Sequence, residues 1–594
     1  MTTAVLTGHE RSLIAQVSTE QLMEATRTIA QWVRHSGTPD EARAFDWIEQ
    51  TLQGFGLETN RYLHPGLVSW PESASLVITH ANGEGETIRC ATHAFATSTA
   101  EHGLAGELAY VGFGTAGELA QSSLSGKIAL VDGIVAPNRH LAIDDSGAAG
   151  SIWIAGTYLH ERALSPIWGT PTPETAHLLP TKPSVSVTAE GGERIKAALA
   201  GGPVQVTMVT SVYRNWNQLP LLVANLHPSN DGADAETFVM LSGHVDSWYY
   251  GAMDNGTANA TMIEVVRVLS EHRAELRRGL RLAFWSGHSH ARYAGSAWYA
   301  DNFWQDLHDR CVAHINVDSV GGMGATVLSQ GNSMAELREF VSDAIEPIAG
   351  QRLDPRRYGR SGDQSFWGHG IPAALMSLSE QPPENADPVL LALHHQISGG
   401  TSKAGGLGSW WHTPEDTVEK IDPEFLVRDA SIYVLLLHRL CTASVLPLDY
   451  TAVLDELTQN LASISQAGDR LDLSLVDAQL RALKTALGRL RSASAGAVGD
   501  RAATINRCLM DVGRALIPVD YTSTGMFDHD LAVPTRPLPG LAAANTLAAL
   551  DPDSDDFHFL HTRLVRERNR LVHGMTQATR AVASTVRELE GKPS

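Results

Sequence analysis

The sequence predicts an α/β fold in which helices cover a mixed β-sheet, with a β-rich insertion and a helical C-terminal part. Between about 215 and 440, short apolar runs that end in polar residues alternate with helical patterns, as in sheets covered by helices. Short β-type runs separated by glycine fill residues 65–212, and leucines at helical spacing follow residue 445. The predicted domains are a main domain over 1–64 and 213–445, an inserted domain over 65–212, and a helical domain over 446–594.

The composition is that of a globular protein with a strong negative charge. Its 594 residues include 45 lysines and arginines against 66 acidic residues, a formal net charge of -21. Such a charge repels phosphate backbones and anionic lipid surfaces, so we expect neither nucleic acid nor a membrane as a partner. The first residues show no basic segment followed by an apolar one, and we therefore expect a cytoplasmic protein. The four cysteines lack CxxC spacing, which argues against a disulfide framework and a thiolate zinc site.

The most informative segment is HVDSWYYGAMDNGTANA, which follows a predicted buried strand. It places His244 and Asp246 at the end of the strand and Asp254 ten residues after the histidine. Ligands and catalytic residues gather at the carboxyl ends of strands in open α/β sheets. An imidazole and a carboxylate in this position can bind a metal ion, and a further carboxylate beside the histidine can orient it.

Two further candidates follow in the chain: Asp318 in the strand-like run VAHINVDS and His412 in SWWHTPEDTVEKID. Each alone has an ordinary explanation, since aspartates cap helices and histidines occur in loops. Together with His244 and Asp254 they give two imidazoles and two carboxylates, a donor set that suits zinc or a related divalent ion. The sequence therefore predicts a metal site.

In these segments the sequence resembles the co-catalytic zinc aminopeptidase family that includes glutamate carboxypeptidase and the transferrin receptor. The matching segments cover about residues 215–440 and read HVDS, GAMDNGTANA, NVDSVGG, SGDQSFWGHGIPA and WHTPEDTVEKID. The resemblance implies a metallopeptidase-like main domain with a sheet of the zinc-aminopeptidase type and an insertion similar to a protease-associated domain. It also implies a C-terminal domain similar to the family's dimerisation domain, and hence a homodimer.

The resemblance implies a role for each candidate ligand. Asp254 would bridge two metal ions, with His244 and Asp318 on opposite sides. His412 would complete the ligand set, and Asp246 would orient His244 through its other ring nitrogen. The expected cofactor is one or two divalent ions, with zinc favoured and manganese or iron as alternatives.

The sequence departs from the family where a Glu-Glu pair supplies the general base and the last ligand. It reads LAFWSGHSHARYAGSAWYAD, with no acid before the final residue and one residue added. Counted from the strand, His288 takes the base position and Ser289 the ligand position. Counted back from the following Gly-Ser pair, Ser289 takes the base position and His290 the ligand position. His288 and Ser289 are thus candidate catalytic residues together with Asp246, and His290 is a candidate metal ligand.

Residues near these segments are candidates for substrate binding. Arg292 and Tyr293 could bind a carboxylate or polarise a carbonyl group. Trp411 belongs to a group of aromatic residues close to the predicted ligands, and it could line a pocket for a flat or apolar group.

The expected function is that of a metal-dependent hydrolase. It would cleave an amide-type bond of a peptide, an N-acyl amino acid, or a small amide or carbamate with a metal-activated water, and a histidine would handle the proton. One alternative is an ordinary aminopeptidase or carboxypeptidase that takes an acid from elsewhere, for instance Asp363 or Glu380. The other is a non-catalytic binding or scaffold homologue. In such a homologue we would expect metal ligands to be lost, whereas the four outer ligands are all present: His244, Asp254, Asp318 and His412.

Overall fold

The computed structural model describes residues 5–80, 82–229, 231–375, 377–397, 402–464 and 470–591. The β-strands are β1 (Glu58–Thr79), β2 (Gly85–Ile88), β3 (Cys90–Thr92), β4 (Leu104–Tyr110), β5 (Ile128–Asp132), β6 (Gly150–Ile154), β7 (Ser184–Val187), β8 (Gln205–Leu226), β9 (Phe238–His244), β10 (Gly279–Trp285), β11 (Cys311–Asn316) and β12 (Ala373–Ala374).

The α-helices are α1 (Gly8–Ile14), α2 (Thr19–Ile29), α3 (Pro39–Gly54), α4 (Ala116–Ala120), α5 (Pro137–Asp145), α6 (Ala189–Ala200), α7 (Ala258–Glu271), α8 (Ala294–Asn302), α9 (Trp304–Arg310), α10 (Ala335–Ala349), α11 (Pro388–Ile397), α12 (Pro423–Thr442), α13 (Tyr450–Ser463), α14 (Ser474–Ser494), α15 (Gly499–Tyr521), α16 (Ala544–Leu547) and α17 (Asp555–Leu589). Among the described residues, no helix combines the length and the apolar composition of a membrane span.

The main sheet is mixed, as the sequence predicts. Its strands run in the order β12-β11-β9-β10-β8, with β9 parallel to β10 and β11, and β8 antiparallel to β10. β9 is buried along its whole length, in keeping with its run of apolar residues. Two N-terminal helices begin at side-chain caps: the Ser18 hydroxyl accepts the N–H of Gln21 before α2, and Thr38 caps α3.

Two long strands connect the main sheet to the insertion. β1 and β8 pair in antiparallel fashion from Glu58 opposite Asn225 to Thr79 opposite Gln205, and β4 to β7 continue the sheet beyond β8. The predicted boundaries at 65 and 212 therefore fall inside these two strands. The inserted part has an apolar core of its own, which includes Leu108, Ile128, Ile152 and Val185.

The C-terminal helices share the main core. Leu454, Leu480 and Leu564 belong to the same buried cluster as Leu241 of β9 and Phe284 of β10. The leucine stripes of this part are thus packing surfaces, and the division of the chain into three domains stays a prediction.

Glu336 in α10 predicts a pH dependence of stability. Its side chain is 3% exposed, and burial raises its pKa to about 8, with Glu456 and Asp520 adding to the effect. Because the folded-state pKa exceeds the unfolded value of about 4.3, the folded state holds the proton, and stability is lost as the pH rises from the unfolded value through the folded one.

We expect Glu336→Gln to remove much of this dependence. Between pH 5 and pH 7 the wild type should lose on the order of 2 kcal/mol more unfolding free energy than the variant. Urea titrations at both pH values measure the difference, with Glu339→Gln on the exposed face of α10 as the matched control. Equal pH dependence in the wild type and Glu336→Gln would contradict the assignment.

Candidate metal centre

The candidate ligands gather at the carboxyl edge of the parallel strands. His244 is the last residue of β9, and Asp318 follows the end of β11 by two residues. Because β9 and β11 are parallel neighbours, their ends lie side by side. Asp254 returns to this edge from the irregular turn Ala252–Thr257, which leads into α7.

Asp254 lies between two imidazoles. Its Oδ1 atom is 3.1 Å from His244 Nε2, and its Oδ2 atom is 3.0 Å from His412 Nε2. Asp318 also approaches His244, with 3.6 Å between Oδ1 and Nε2. The structure thus brings the four outer donors together, and their mixture of nitrogen and carboxylate oxygen fits a divalent cation.

Both outer histidines are fixed through Nδ1. His244 Nδ1 is 2.8 Å from the main-chain oxygen of Asp246, and His412 Nδ1 is 2.8 Å from that of Glu161. A carbonyl oxygen can only accept, so each Nδ1 carries the proton and each Nε2 keeps a lone pair for a metal ion.

His288 joins this cluster. Its Nδ1 atom is 2.8 Å from Asp363 Oδ2, and its ring stacks on that of His244 with 3.8 Å between the centroids. One ligand atom each of His244, His288 and Asp318 lie within 4.8 Å of one another. His288 is therefore placed where it can bind the same ion as His244, with Asp363 in the orienting role.

His290 is not brought to the other predicted ligands. Its Nδ1 atom is 3.0 Å from Ser36 Oγ and 3.3 Å from Asp246 Oδ2, and its buried ring packs against Trp248. Among the described residues, the clusters of metal-binding type do not include it. The role of His290 as a metal ligand stays a prediction from the sequence, and His288 is the histidine of this loop that lies beside His244 and Asp318.

Asp246 organises the histidine-containing loop. Its carboxylate accepts the main-chain N–H of His288 at 3.1 Å and that of Ser289 at 2.9 Å. The expected orientation of His244 comes mainly from the main-chain oxygen of Asp246, since the nearer carboxylate oxygen is 3.7 Å from Nδ1. Ser289, expected to be catalytic, contributes a main-chain donor to this arrangement and its side chain is buried.

The cluster shifts the pKa values of its members in opposite directions. Burial opposes the charged form of His244, yet Asp318 and Asp254 raise its pKa well above the usual value. Burial also opposes the charge of Asp254, but His244 and His412 hold its pKa well below the usual value. The carboxylates therefore favour positive charge at this edge, which a divalent cation supplies.

Two buried side chains hold the segment that carries Asp254. Arg34 donates to three main-chain oxygens between 245 and 251 at 2.8 to 3.0 Å. Asp416 accepts the main-chain N–H of Met253 at 2.9 Å and that of Asp254 at 3.1 Å. The position of Asp254 is thus set by charge-assisted hydrogen bonds from both sides of its turn.

An arginine-lined cavity of about 120 Å³ adjoins the cluster. Tyr293 lines it and lies edge-on to His288, with 4.8 Å between the ring centroids. Arg162, Arg292 and Arg360 also line the cavity, and no carboxylate is among its described lining residues. Burial lowers the pKa of Arg162 and of Arg360 to about 10, so both are cations at neutral pH. The cavity therefore has a positive potential.

The residues predicted to bind substrate differ in their surroundings. Arg292 and Tyr293 line the arginine-lined cavity, and Arg292 donates to the main-chain oxygen of Ala532 at 3.0 Å. Trp411 instead donates through Nε1 to Asp254 Oδ2 at 2.8 Å and stacks on the adjacent imidazole. The indole thus supports a candidate ligand directly.

Sequence reasoning missed the residues that support or extend the site from distant segments. Glu161, Arg162 and Arg360 come from stretches without a distinctive local pattern. Asp416 stands four residues after His412 in the segment WHTPEDTVEKID. Its nearness to a predicted ligand is the signal by which the sequence could have identified it.

The fold and the donor-bearing edge define a zinc-aminopeptidase-type α/β domain. The aminopeptidase of Aneurinibacillus sp. strain AM-1 has this fold, with a TM-score of 0.55 and 22% identity over 72% of this chain and 95% of that one. Residues 222–436 match the profile of peptidase family M28.

Two curated relatives match in sequence. "Probable glutamate carboxypeptidase VP8" of Zea mays is 26% identical over 243 residues, which cover 39% of this chain and 32% of the relative. "Probable glutamate carboxypeptidase LAMP1" of Arabidopsis thaliana is 25% identical over 305 residues, which cover 49% of this chain and 43% of the relative. The chain thus spans less than half the length of these relatives.

Asp416→Ala tests the support of Asp254. We expect metal affinity to fall about 10- to 100-fold, because the turn loses the acceptor that fixes two main-chain N–H groups. Competition with a chromogenic chelator measures the affinity, and the exposed Glu419→Ala serves as the control. Unchanged affinity in a folded Asp416→Ala variant would show that the turn keeps its position without this acceptor.

Proposed function

We propose that the chain is a metal-dependent hydrolase that cleaves an amide-type bond in substrates carrying a carboxylate. The observation that carries the proposal is the placement of His288, a residue absent from the family pattern, beside His244 and Asp318. A lost active site would be expected to scatter its donors, whereas here three histidines each have an oxygen partner at Nδ1.

We propose one ion as the working state, with zinc favoured over manganese or iron. The ligands would be His244, His288 and Asp318, assisted by Asp254. Two imidazoles and one carboxylate form a common ligand set of catalytic zinc. For a second ion, the second glutamate of the family pattern is replaced in this chain. The remaining candidate ligand, Asp254, already accepts a hydrogen bond from Trp411 Nε1 at Oδ2. A second ion would therefore have fewer protein ligands.

A divalent ion in this place polarises a carbonyl group and lowers the pKa of water. The chain's own residues supply the orientation. Arg162, Arg292 and Arg360 would bind the carboxylate of the substrate, and Tyr293 connects that cavity to His288. Holding one end of the substrate fixes the amide relative to the cluster, which reduces the entropy lost on reaching the reactive geometry.

We assign the acyl side of the substrate to a second cavity. A cavity of about 310 Å³ is lined by Trp248, Tyr249 and Glu161, whose main chain holds His412. Tyr249 donates its hydroxyl to Glu161 Oε1 at 2.7 Å. This cavity would accept a flat or apolar acyl group between aromatic walls.

The alternatives receive less support. An ordinary peptidase would need an acid as base, but Asp363 is engaged by His288 Nδ1 and by the Ser296 hydroxyl. A non-catalytic homologue predicts lost ligands, and the donors are instead assembled. The homodimer and the cytoplasmic location stay predictions from the sequence.

Metal content distinguishes the roles of the two histidines of the loop. We expect His288→Ala to hold one ion fewer per chain than the wild type, and His290→Gln to hold as many ions as the wild type. The reason is that His288 lies among the ligands while His290 bonds to Asp246 and Ser36. Elemental analysis after dialysis against a weak chelator gives the numbers.

Other outcomes have definite meanings. If His288→Ala keeps the ion but loses hydrolysis, His288 is the general base and the ligand assignment fails. If the folded wild type takes up no zinc, manganese or iron, the hydrolase proposal itself fails. His314→Gln, a buried histidine outside the cluster, controls for loss of a core imidazole.

The arginine-lined cavity predicts carboxylate specificity. For an N-acyl amino acid we expect Arg162→Gln to raise KM about 10- to 100-fold, because a charge-assisted hydrogen bond is worth about 1.5 to 3 kcal/mol. The C-terminal amide of the same compound should be cleaved poorly by both enzymes and show little change. The exposed Arg214→Gln is the matched control. An equal loss on both compounds would place Arg162 in a structural role.

A further inference from the structure

A second group of histidines, outside the cluster at the carboxyl edge of the sheet, surrounds one carboxylate. His9 of α1, His272 directly after α7, and His438 of α12 all reach Glu275, in the short turn Arg273–Glu275. His9 Nε2 and His438 Nε2 are each 2.9 Å from Glu275 Oε2, and His272 Nδ1 is 2.9 Å from Oε1. Four donors from three parts of the chain thus converge.

We propose that this His9–His272–Glu275 cluster is a second metal site that binds a zinc-type divalent ion, with His438 as the additional donor. One ligand atom each of His9, His272 and Glu275 lie within 4.8 Å of one another. Imidazole nitrogens combined with one carboxylate form a donor set that zinc prefers. The site is independent of the hydrolase and of the ion proposed for it.

An ion can enter the cluster after a small movement of the side chains. Tetrahedral zinc with bonds of about 2.1 Å separates its ligand atoms by about 3.4 Å. The present 2.9 Å contacts must therefore open by about half an ångström. His9 can supply this movement because its side chain is 48% exposed. His438 is about nine-tenths buried, so it provides the fixed side of the site.

The surrounding contacts support ligand orientation. Gln16 approaches His272 Nε2 at 3.1 Å through its amide group. The Oε1 atom of Gln16 is buried and has no hydrogen-bond partner among the described residues. With the amide turned around, Oε1 accepts the Nε2 proton of His272 and leaves a lone pair on Nδ1 for the ion.

The helices that carry two of the donors are joined by an ion pair. The backbone of α1 is held beside α12 by Arg439, which donates to Glu10 Oε1 at 2.6 Å. An ion at the cluster would add a cross-link between α1 and α12, and it would stabilise the folded chain by mass action.

The test is zinc stoichiometry in the full-length chain. Equilibrium dialysis against buffered zinc would compare the wild type with His9→Ala/His272→Ala, and His102→Ala provides an exposed histidine outside the cluster. We expect the double variant to bind one ion fewer than the wild type and His102→Ala, with unchanged hydrolysis. Equal zinc content in all three proteins overturns the proposal.

Two further measurements separate this site from the proposed catalytic ion. In the His244→Ala background the cluster should still bind one ion, and zinc should raise Tm; no zinc binding and no rise in Tm in that background overturn the proposal. Glu275→Gln preserves the size of the side chain, and we expect at least a tenfold weaker zinc affinity. Unchanged affinity in this variant also contradicts the assignment.

Discussion

The placement of the metal-binding edge depends on the buried carboxylate of Asp246. A buried charge is tolerated only where hydrogen bonds replace water. Here the main-chain N–H groups of His288 and Ser289 and the hydroxyl of Ser36 supply those bonds at 2.9 to 3.1 Å. Two of these donors belong to the backbone. The path of the loop is therefore fixed whichever side chains it carries, and this allows histidine to stand where the family pattern has an acid.

The C-terminal part contributes to the same region of the molecule. Arg292 follows the loop and donates to the main-chain oxygens of Ser165 and Ala532, and Arg360 donates to that of Asp530. These main-chain oxygens fix the positions of the guanidinium groups without adding a negative charge of their own. The arginine-lined cavity is thus assembled from the insertion, the main domain and the chain after α15.

Much of the fold, and the four outer metal-ligand candidates, could be predicted from local patterns in the sequence. Buried strands that end in HVDS and NVDS, with glycine-rich turns after them, place His244 and Asp318 at one edge, so spacing alone carried that inference. Spacing could not decide which position of the family pattern His288 or His290 takes, because one added residue leaves two alignments with that pattern. The structure places Arg292 and Tyr293 in the left-handed region, at φ 51° and 70°. These two residues lie between the histidines and the start of α8.

Replacing an acid by histidine also changes the charge of the centre. Asp254 and Asp318 together carry two negative charges, which balance one divalent ion, and the imidazoles of His244 and His288 add none when they coordinate as neutral ligands. A family-type acid at the same place would leave an excess negative charge that repels an anionic substrate. With the imidazole this place carries one negative charge fewer, and the arginines beside it attract a carboxylate. The substitution in the loop and the arginine-lined cavity therefore both support the proposal of a substrate that carries a carboxylate.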